Sequence, residues 1–168
     1  MSVAKAILQD LFIAQNRAYE PNGFVCSPII QETESKEYSA CGFTLNNILI
    51  KFRIAKITPT KIGQFVTFWK RLGNGPIMPY DLTDHFDFLI VSVRKAYSLG
   101  QFVFPKDVLC QKGFISKEGM GGKRAMRVYP PWDITDSDQA KKTQAWQLLY
   151  FFEIEPAVDN ERMKQLLD

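Results

Sequence analysis

Asp87 and Lys106 have the spacing of a metal-dependent nuclease pair, in which an aspartate faces a lysine across a hairpin at one end of a sheet. Asp87 opens an apolar run, Phe86 to Val93, where a carboxylate is costly to bury without a partner. A turn near Tyr97-Ser98 would bring it beside residues 106 to 108. Such a site needs a second acid two positions before the lysine, and that position holds Phe104. The alternative alignment, Gln101-Phe-Val103, supplies neither the charge nor the lysine. Asp81, Asp84, His85 and Asp87 form a second group, with Asp84 and Asp87 as its metal candidates; the plain alternative is an acidic loop.

Other catalytic chemistries are cut back by composition. One histidine, His85, rules out a multi-histidine metal site and would have to serve any Ser-His or Cys-His nucleophile. Cys26, Cys41 and Cys110 make no CxxC pair, and their odd number reads as reduced thiols of a cytoplasmic protein. Gly122-Lys123-Arg124 only imitates a phosphate loop: Lys117 stands where its first glycine belongs, and Arg124 replaces the Ser or Thr.

Charge is segregated along the chain. The net charge is +3, yet Tyr38 to Tyr80 holds six basic residues and no acid, and residues 94 to 132 hold eight basic and two acidic residues. Acidic segments bracket both blocks, including the three aspartates between residues 81 and 93. If the basic blocks share a face, its field would attract a polyanion. A solvated sheet surface with its acids elsewhere is the alternative. Arg53, Lys56, Lys61, Lys70, Arg71, Lys123, Arg124 and Arg127 are the candidate phosphate contacts. Tyr129 and Trp132, beside Pro130-Pro131, stand out as exposed aromatics that would stack on unpaired bases.

The elements that must position these residues follow from periodicity. The 168 residues, 46% apolar and 23% charged, suit one domain spanning residues 1 to 168, with no membrane span. Val3, Ile7, Leu11, Ala14 and Ala18 predict an amphipathic helix ended by Pro21-Asn22-Gly23. Residues 24 to 38 read as an irregular loop. Residues 39 to 46 and 48 to 58 predict a hairpin around Asn46-Asn47. Its even positions, Ile48 to Ile54, face the core and turn Lys51 and Arg53 away, while Lys56 falls on the core face at the strand's end. Further strands are predicted at 64 to 70, 86 to 93, 100 to 104 and 125 to 129. The run 86 to 93 is apolar on both faces and therefore central. Asp136 and Gln139 resemble a capping box before a helix over 140 to 152. The fold class is α+β, or α/β, with a mixed central sheet flanked by helices.

Four blocks, Phe52 to Arg71, Phe86-Asp-Phe, Gly100 to Lys106 and Lys123 to Trp132, together with Gln144-Ala-Trp-Gln, resemble the MepB family over about Gly42 to Phe152. The resemblance implies a restriction-endonuclease-like, PD-(D/E)XK-type fold and an association with nucleic acid. The family takes its name from a gene beside a multidrug exporter, which carries no mechanism. With the second acid missing, the expectation is a nuclease-like scaffold that binds and does not cut, needing no cofactor. It would favour single-stranded DNA or RNA over duplex, without sequence specificity, because no recognition helix is evident. The alternatives are a Mg²⁺-dependent endonuclease drawing its second acid from Asp84, Glu20 or Asp107, and a protein-interaction module docking through the acidic tail.

Overall fold

The computed structural model describes residues 8–168. Val3 and most of the first turns of the predicted N-terminal helix lie outside them. From residue 9 the chain is helical through Asn22, first as α1 (Gln9–Ala14), then as a π turn and a 3₁₀ turn. Gly23, at φ +85°, ends it in the left-handed conformation that glycine adopts without strain.

The main sheet has six strands in the order β1-β2-β3-β8-β9-β11, namely Ile30–Gln31, Cys41–Leu45, Ile48–Ile54, Phe88–Lys95, Ser98–Pro105 and Phe151–Glu155. All neighbours are antiparallel except β3 and β8, which makes the sheet mixed, as predicted. The β2–β3 hairpin closes with Leu45 opposite Ile48 across a two-residue turn, and Asn46 takes the required positive φ of 55°. The β8–β9 turn falls at Ala96-Tyr97, one residue before the predicted place, with Lys95 opposite Ser98. Strand β8 is buried on both sides, as its unbroken apolar run requires.

One face of this sheet packs on Leu11, Ala14 and Tyr19 from the N-terminal helical segment and on Met163 and Leu167 from the C-terminal helix α4 (Asn160–Leu167). The other face carries an aromatic layer that includes Phe68, Phe86, Phe102 and Phe104. Above that layer lies a small antiparallel sheet of β4 (Lys56–Ile57), β5 (Gln64–Thr67) and β10 (Ala125–Val128), in the order β10-β5-β4. The short pair β6 (Lys70–Arg71) and β7 (Ile77–Met78) follows β5, and α2 (Lys106–Gln111) follows β9.

Three expectations are corrected. The helix predicted over 140 to 152 stops as α3 (Asp138–Gln147), and Phe151–Glu155 becomes the edge strand β11. Phe152 and Ile154 alternate inward from it and complete the core. The α3 cap is Ser137, whose Oγ accepts from Ala140 N at 3.1 Å, one residue after the Asp136 of the predicted box. The strand predicted over 48 to 58 breaks at Ala55, where the chain leaves the main sheet, so Lys56 sits exposed on β4 rather than on the core face.

A fourth correction concerns Arg53. Its side chain points away from Phe52, as the alternation predicts, but the second layer covers that face and leaves Arg53 only 1% exposed. Glu32, just after β1, accepts hydrogen bonds from the Arg53 guanidinium, from Lys51 Nζ at 3.0 Å and from Tyr80 OH at 3.0 Å. The guanidinium lies 5.2 Å from the Phe68 ring centre. Arg53 is therefore an interior ion-pair residue and not a phosphate contact.

Candidate nucleic-acid interface

Alternation along the small sheet decides what it shows to solvent. Gln64, Val66, Met126 and Val128 turn inward and are buried, so Phe65 and Arg127 turn outward. Register then places Lys56, Phe65 and Arg127 in one row across the three strands. Tyr38 joins that row from a 3₁₀ turn, Lys36–Tyr38, which is tied to β5 by a 2.8 Å hydrogen bond between Ser35 Oγ and Thr67 Oγ1. Lys56 Nζ lies 5.2 Å from the Tyr38 ring, the Tyr38 and Phe65 rings meet edge to face at 6.1 Å, and Arg127 Cζ lies 5.8 Å from Phe65. The outer face is thus a ladder of cation, aromatic, aromatic and cation. Burial, with a smaller contribution from Glu37, raises the Tyr38 phenol above its ordinary value, so it stays neutral at physiological pH.

Beside the ladder runs a groove of about 420 Å³, lined by Lys61, Phe65, Phe114, Lys123, Arg127 and Tyr129 among others. Lys123 Nζ lies 5.4 Å from the Phe114 ring. Arg127 holds the β4–β5 loop by donating from Nη1 to Thr58 Oγ1 at 3.0 Å and to the Gly63 carbonyl at 3.3 Å. At Gly63, φ +85°, a Cβ would come within 2.8 Å of the Tyr129 ring, so the ring lies directly against glycine backbone. The glutamines of α3 fix the other edge. Gln147, fully buried, accepts from Tyr129 N at 2.9 Å and donates to the Arg127 carbonyl at 3.0 Å, as a neighbouring strand would. Gln144 Nε2 donates to the carbonyls of Pro130 and Asp133, each at 2.9 Å. These two residues of the Gln144-Ala-Trp-Gln block are clamps for the basic strand.

The predicted phosphate contacts divide cleanly by their partners. Among the described residues, Lys56, Lys61, Lys123, Arg124 and Arg127 have no acidic group within salt-bridge distance, and all but Arg127 are exposed. Lys70 is paired with Asp84 at 2.7 Å, and Arg71 with Glu34 at 2.9 Å. Lys61, Lys123, Arg127 and Tyr129 converge on one groove, while Lys70, Arg71 and Arg53 are spent on acids. Trp132 is half-buried, packs edge to face on Phe151 at 6.0 Å and lines a neighbouring hollow rather than standing free.

The nuclease candidates meet in sequence register but not in chemistry. Lys106 N donates to the Asp87 carbonyl at 3.0 Å, the proximity that the hairpin predicts. Their side chains are engaged elsewhere: Asp87 Oδ2 accepts from Leu49 N at 2.8 Å, and Lys106 Nζ donates to the Asp84 carbonyl at 2.7 Å above the Phe86 ring. Asp107, in the first turn of α2, accepts from Val108 N at 3.0 Å. Gln101 is fully buried on the opposite face of the sheet and accepts from the Tyr19 hydroxyl. Asp84 accepts from Lys70 and from Asp81 N, and Asp81 gathers Ser116, Thr83 and the Gly119 N–H. Those donors hold the Asp81 carboxyl well below the usual carboxylate range, Ser116 first among them. Asp81 thereby fastens the glycine-rich loop that leads to Lys123. No group of three His, Cys, Asp or Glu side chains among the described residues is placed to hold a metal ion.

A MepB-like family model matches residues 32–153. The chain belongs to the MepB-like family. A solved structure described as MepB is 31% identical, with a TM-score of 0.75 over 92% of this chain and 99% of that one. A bacterial homing endonuclease aligns at 16% identity over 89% of this chain and 91% of its own, with a TM-score of 0.43. No curated protein matches. The MepB-like match covers the whole ladder and both clamping glutamines, so the outer face belongs to the family's own region. Glu32 is its first residue, although sequence reading placed it in an undistinguished loop; its separation of 21 residues from Arg53 leaves no local pattern to find.

Proposed function

We propose that this member of the MepB-like family binds single-stranded nucleic acid, DNA or RNA, through the outer face of its small sheet, and does not cut it. The observation that carries the reading is the row Lys56, Tyr38, Phe65 and Arg127 beside a groove whose cations lack acidic partners. Aromatic faces accept any unpaired base, and unpaired cations follow the backbone, which is how strands are bound without reading sequence. A duplex hides its base faces, so single strands gain more from this surface. The non-cutting half rests on Asp87 and Lys106, whose side chains are occupied by backbone groups. The three cysteines are unpaired thiols, in keeping with a cytoplasmic setting. No helix among the described residues is long and apolar enough to cross a membrane.

The test is the fluorescence anisotropy of labelled single-stranded DNA, RNA and duplex titrated against salt, followed by Mg²⁺ or Mn²⁺ and a denaturing gel. The expected result is tighter binding of the single strands, an affinity that falls linearly on a log-log plot against salt, and intact strands. Binding indifferent to salt, or none, removes the nucleic-acid reading. Cleavage removes the non-cutting half and moves attention to the cleft of about 530 Å³ that holds Asp87, Lys106 and Asp107.

A further inference from the structure

The loop from Pro59 to Ile62 separates two depressions. On one side is the basic groove of the ladder; on the other is a hollow of about 430 Å³, and Lys61 lines both. The far hollow has a different chemistry. Its walls include the Trp132 indole and two outward aliphatic side chains, Ile57 at 58% and Ile134 at 86% exposure. Besides Thr60 and the shared Lys61, its polar groups are Asp133, whose side chain is 11% exposed, and Lys95. Lys95 Nζ stands 3.7 Å from Asp133 Oδ1, beyond hydrogen-bond length, so each group keeps capacity for a third partner. The Asp133 backbone is fixed, with its N–H on the Pro130 carbonyl at 3.0 Å and its own carbonyl on Gln144. Burial raises the Asp133 carboxyl above its ordinary value despite Lys95, which makes it the stronger hydrogen-bond acceptor.

Phosphate has no N–H to offer the Asp133 carboxylate whereas a base edge does, so beside Asp133 the hollow suits a base rather than the backbone, although Lys61 and Lys95 also line it. Flat and aliphatic walls hold a ring, and the polar pair reads its edge. We propose that the hollow takes one unstacked guanine from a single strand lying along the ladder, a step that rests on the nucleic-acid reading above. Guanine presents an oxygen acceptor followed by two N–H donors along its pairing edge. The Lys95 ammonium donates to the oxygen, and the Asp133 carboxylate accepts from the N–H groups. Adenine and cytosine offer the carboxylate one amino donor, and thymine one ring N–H. Lys61, on the shared rim, meets the phosphate between the extruded base and its stacked neighbour. Binding would then be indifferent to sequence along the ladder and selective at one position.

The experiment compares short labelled dT strands that carry at their centre dT, dG or inosine, which lacks the amino donors. The readout is the ratio of dG-strand to dT-strand affinity within each protein variant, so a general loss of affinity does not register. Wild type is expected to prefer the dG strand by on the order of tenfold, with inosine in between. The ratio should fall close to one in Asp133→Asn, whose amide keeps a single uncharged acceptor and sets an N–H group against the second guanine donor, and drop in Lys95→Gln at an exposed site that does not threaten folding. Equal affinities for dG and dT strands in wild type overturn the guanine pocket while leaving the ladder standing. A preference that survives both substitutions overturns it as well. Absence of salt-sensitive binding to any strand removes the nucleic-acid reading and the pocket with it.

Discussion

Glu32→Ala should destabilise the protein by about 3–5 kcal/mol, the usual cost of removing one partner from a buried ion pair. The arithmetic favours a large effect because the loss is not one contact. Arg53, 1% exposed, would keep a guanidinium with no counter-charge, and Tyr80 OH and Lys51 Nζ would each lose their acceptor. Glu32 itself is 19% exposed, so water offsets part of the loss and the lower end of the range is expected. Urea unfolding monitored by tryptophan fluorescence reads the change as a lower midpoint at unchanged slope. The double variant Glu32→Ala/Arg53→Met should recover much of the loss, since a buried aliphatic chain on Phe68 needs no partner. A single-variant loss below about 1 kcal/mol would mean that the pair is solvated and that β1 is not anchored through it.

The second large effect separates the two kinds of cation. Replacing Lys56, Lys61 and Lys123 together with glutamine removes three charges that have no acidic partner. The slope of log affinity against log salt for a single strand should then fall by about two, at roughly 0.7 per phosphate contact. Affinity in low salt should fall on the order of tenfold or more. The matched pair Lys70→Gln/Arg71→Gln deletes charges already neutralised by Asp84 and Glu34, and its slope should stay within about half a unit of wild type. Equal losses in the two sets would show that net charge, rather than the outer face of the small sheet, governs binding.

That Arg53 belongs with the paired cations was hidden in the sequence for a physical reason. Alternation reports the side of a strand on which a residue lies, and it put Arg53 opposite Phe52 correctly. It cannot report what covers that side, which here is the second layer, with Phe68 against the guanidinium and Tyr80 on Glu32. The hairpin at Asn46-Asn47 and the central strand β8 were legible because a turn residue with positive φ and an unbroken apolar run are local signals. Phe151 and Phe152 misled because an apolar run after a helix reads as more helix; the edge position beside β9 that makes Phe151–Glu155 a strand is supplied by residues about 50 positions earlier. The groove was half legible. Lys61, Lys123, Arg127 and Tyr129 were drawn from charge and aromatic pattern, and they do share one surface. Tyr38 and Phe114 were missed because they enter from a 3₁₀ turn and a loop with no periodicity to mark them. Asp87 and Lys106 show the opposite failure: the register brought them together, and hydrogen bonds to backbone groups then drew the side chains apart.

Binding through the small sheet requires that strands lie across its outer face. Ultraviolet crosslinking of a single strand carrying photoreactive thiolated bases, followed by mass spectrometry of the joined peptides, reads that contact residue by residue. Adducts are expected at Tyr38, Phe65 and Tyr129, whose rings border the unpaired cations. Adducts confined to the Asp87 and Lys106 cleft, with none on those three rings, would place the strand elsewhere and contradict binding through the small sheet.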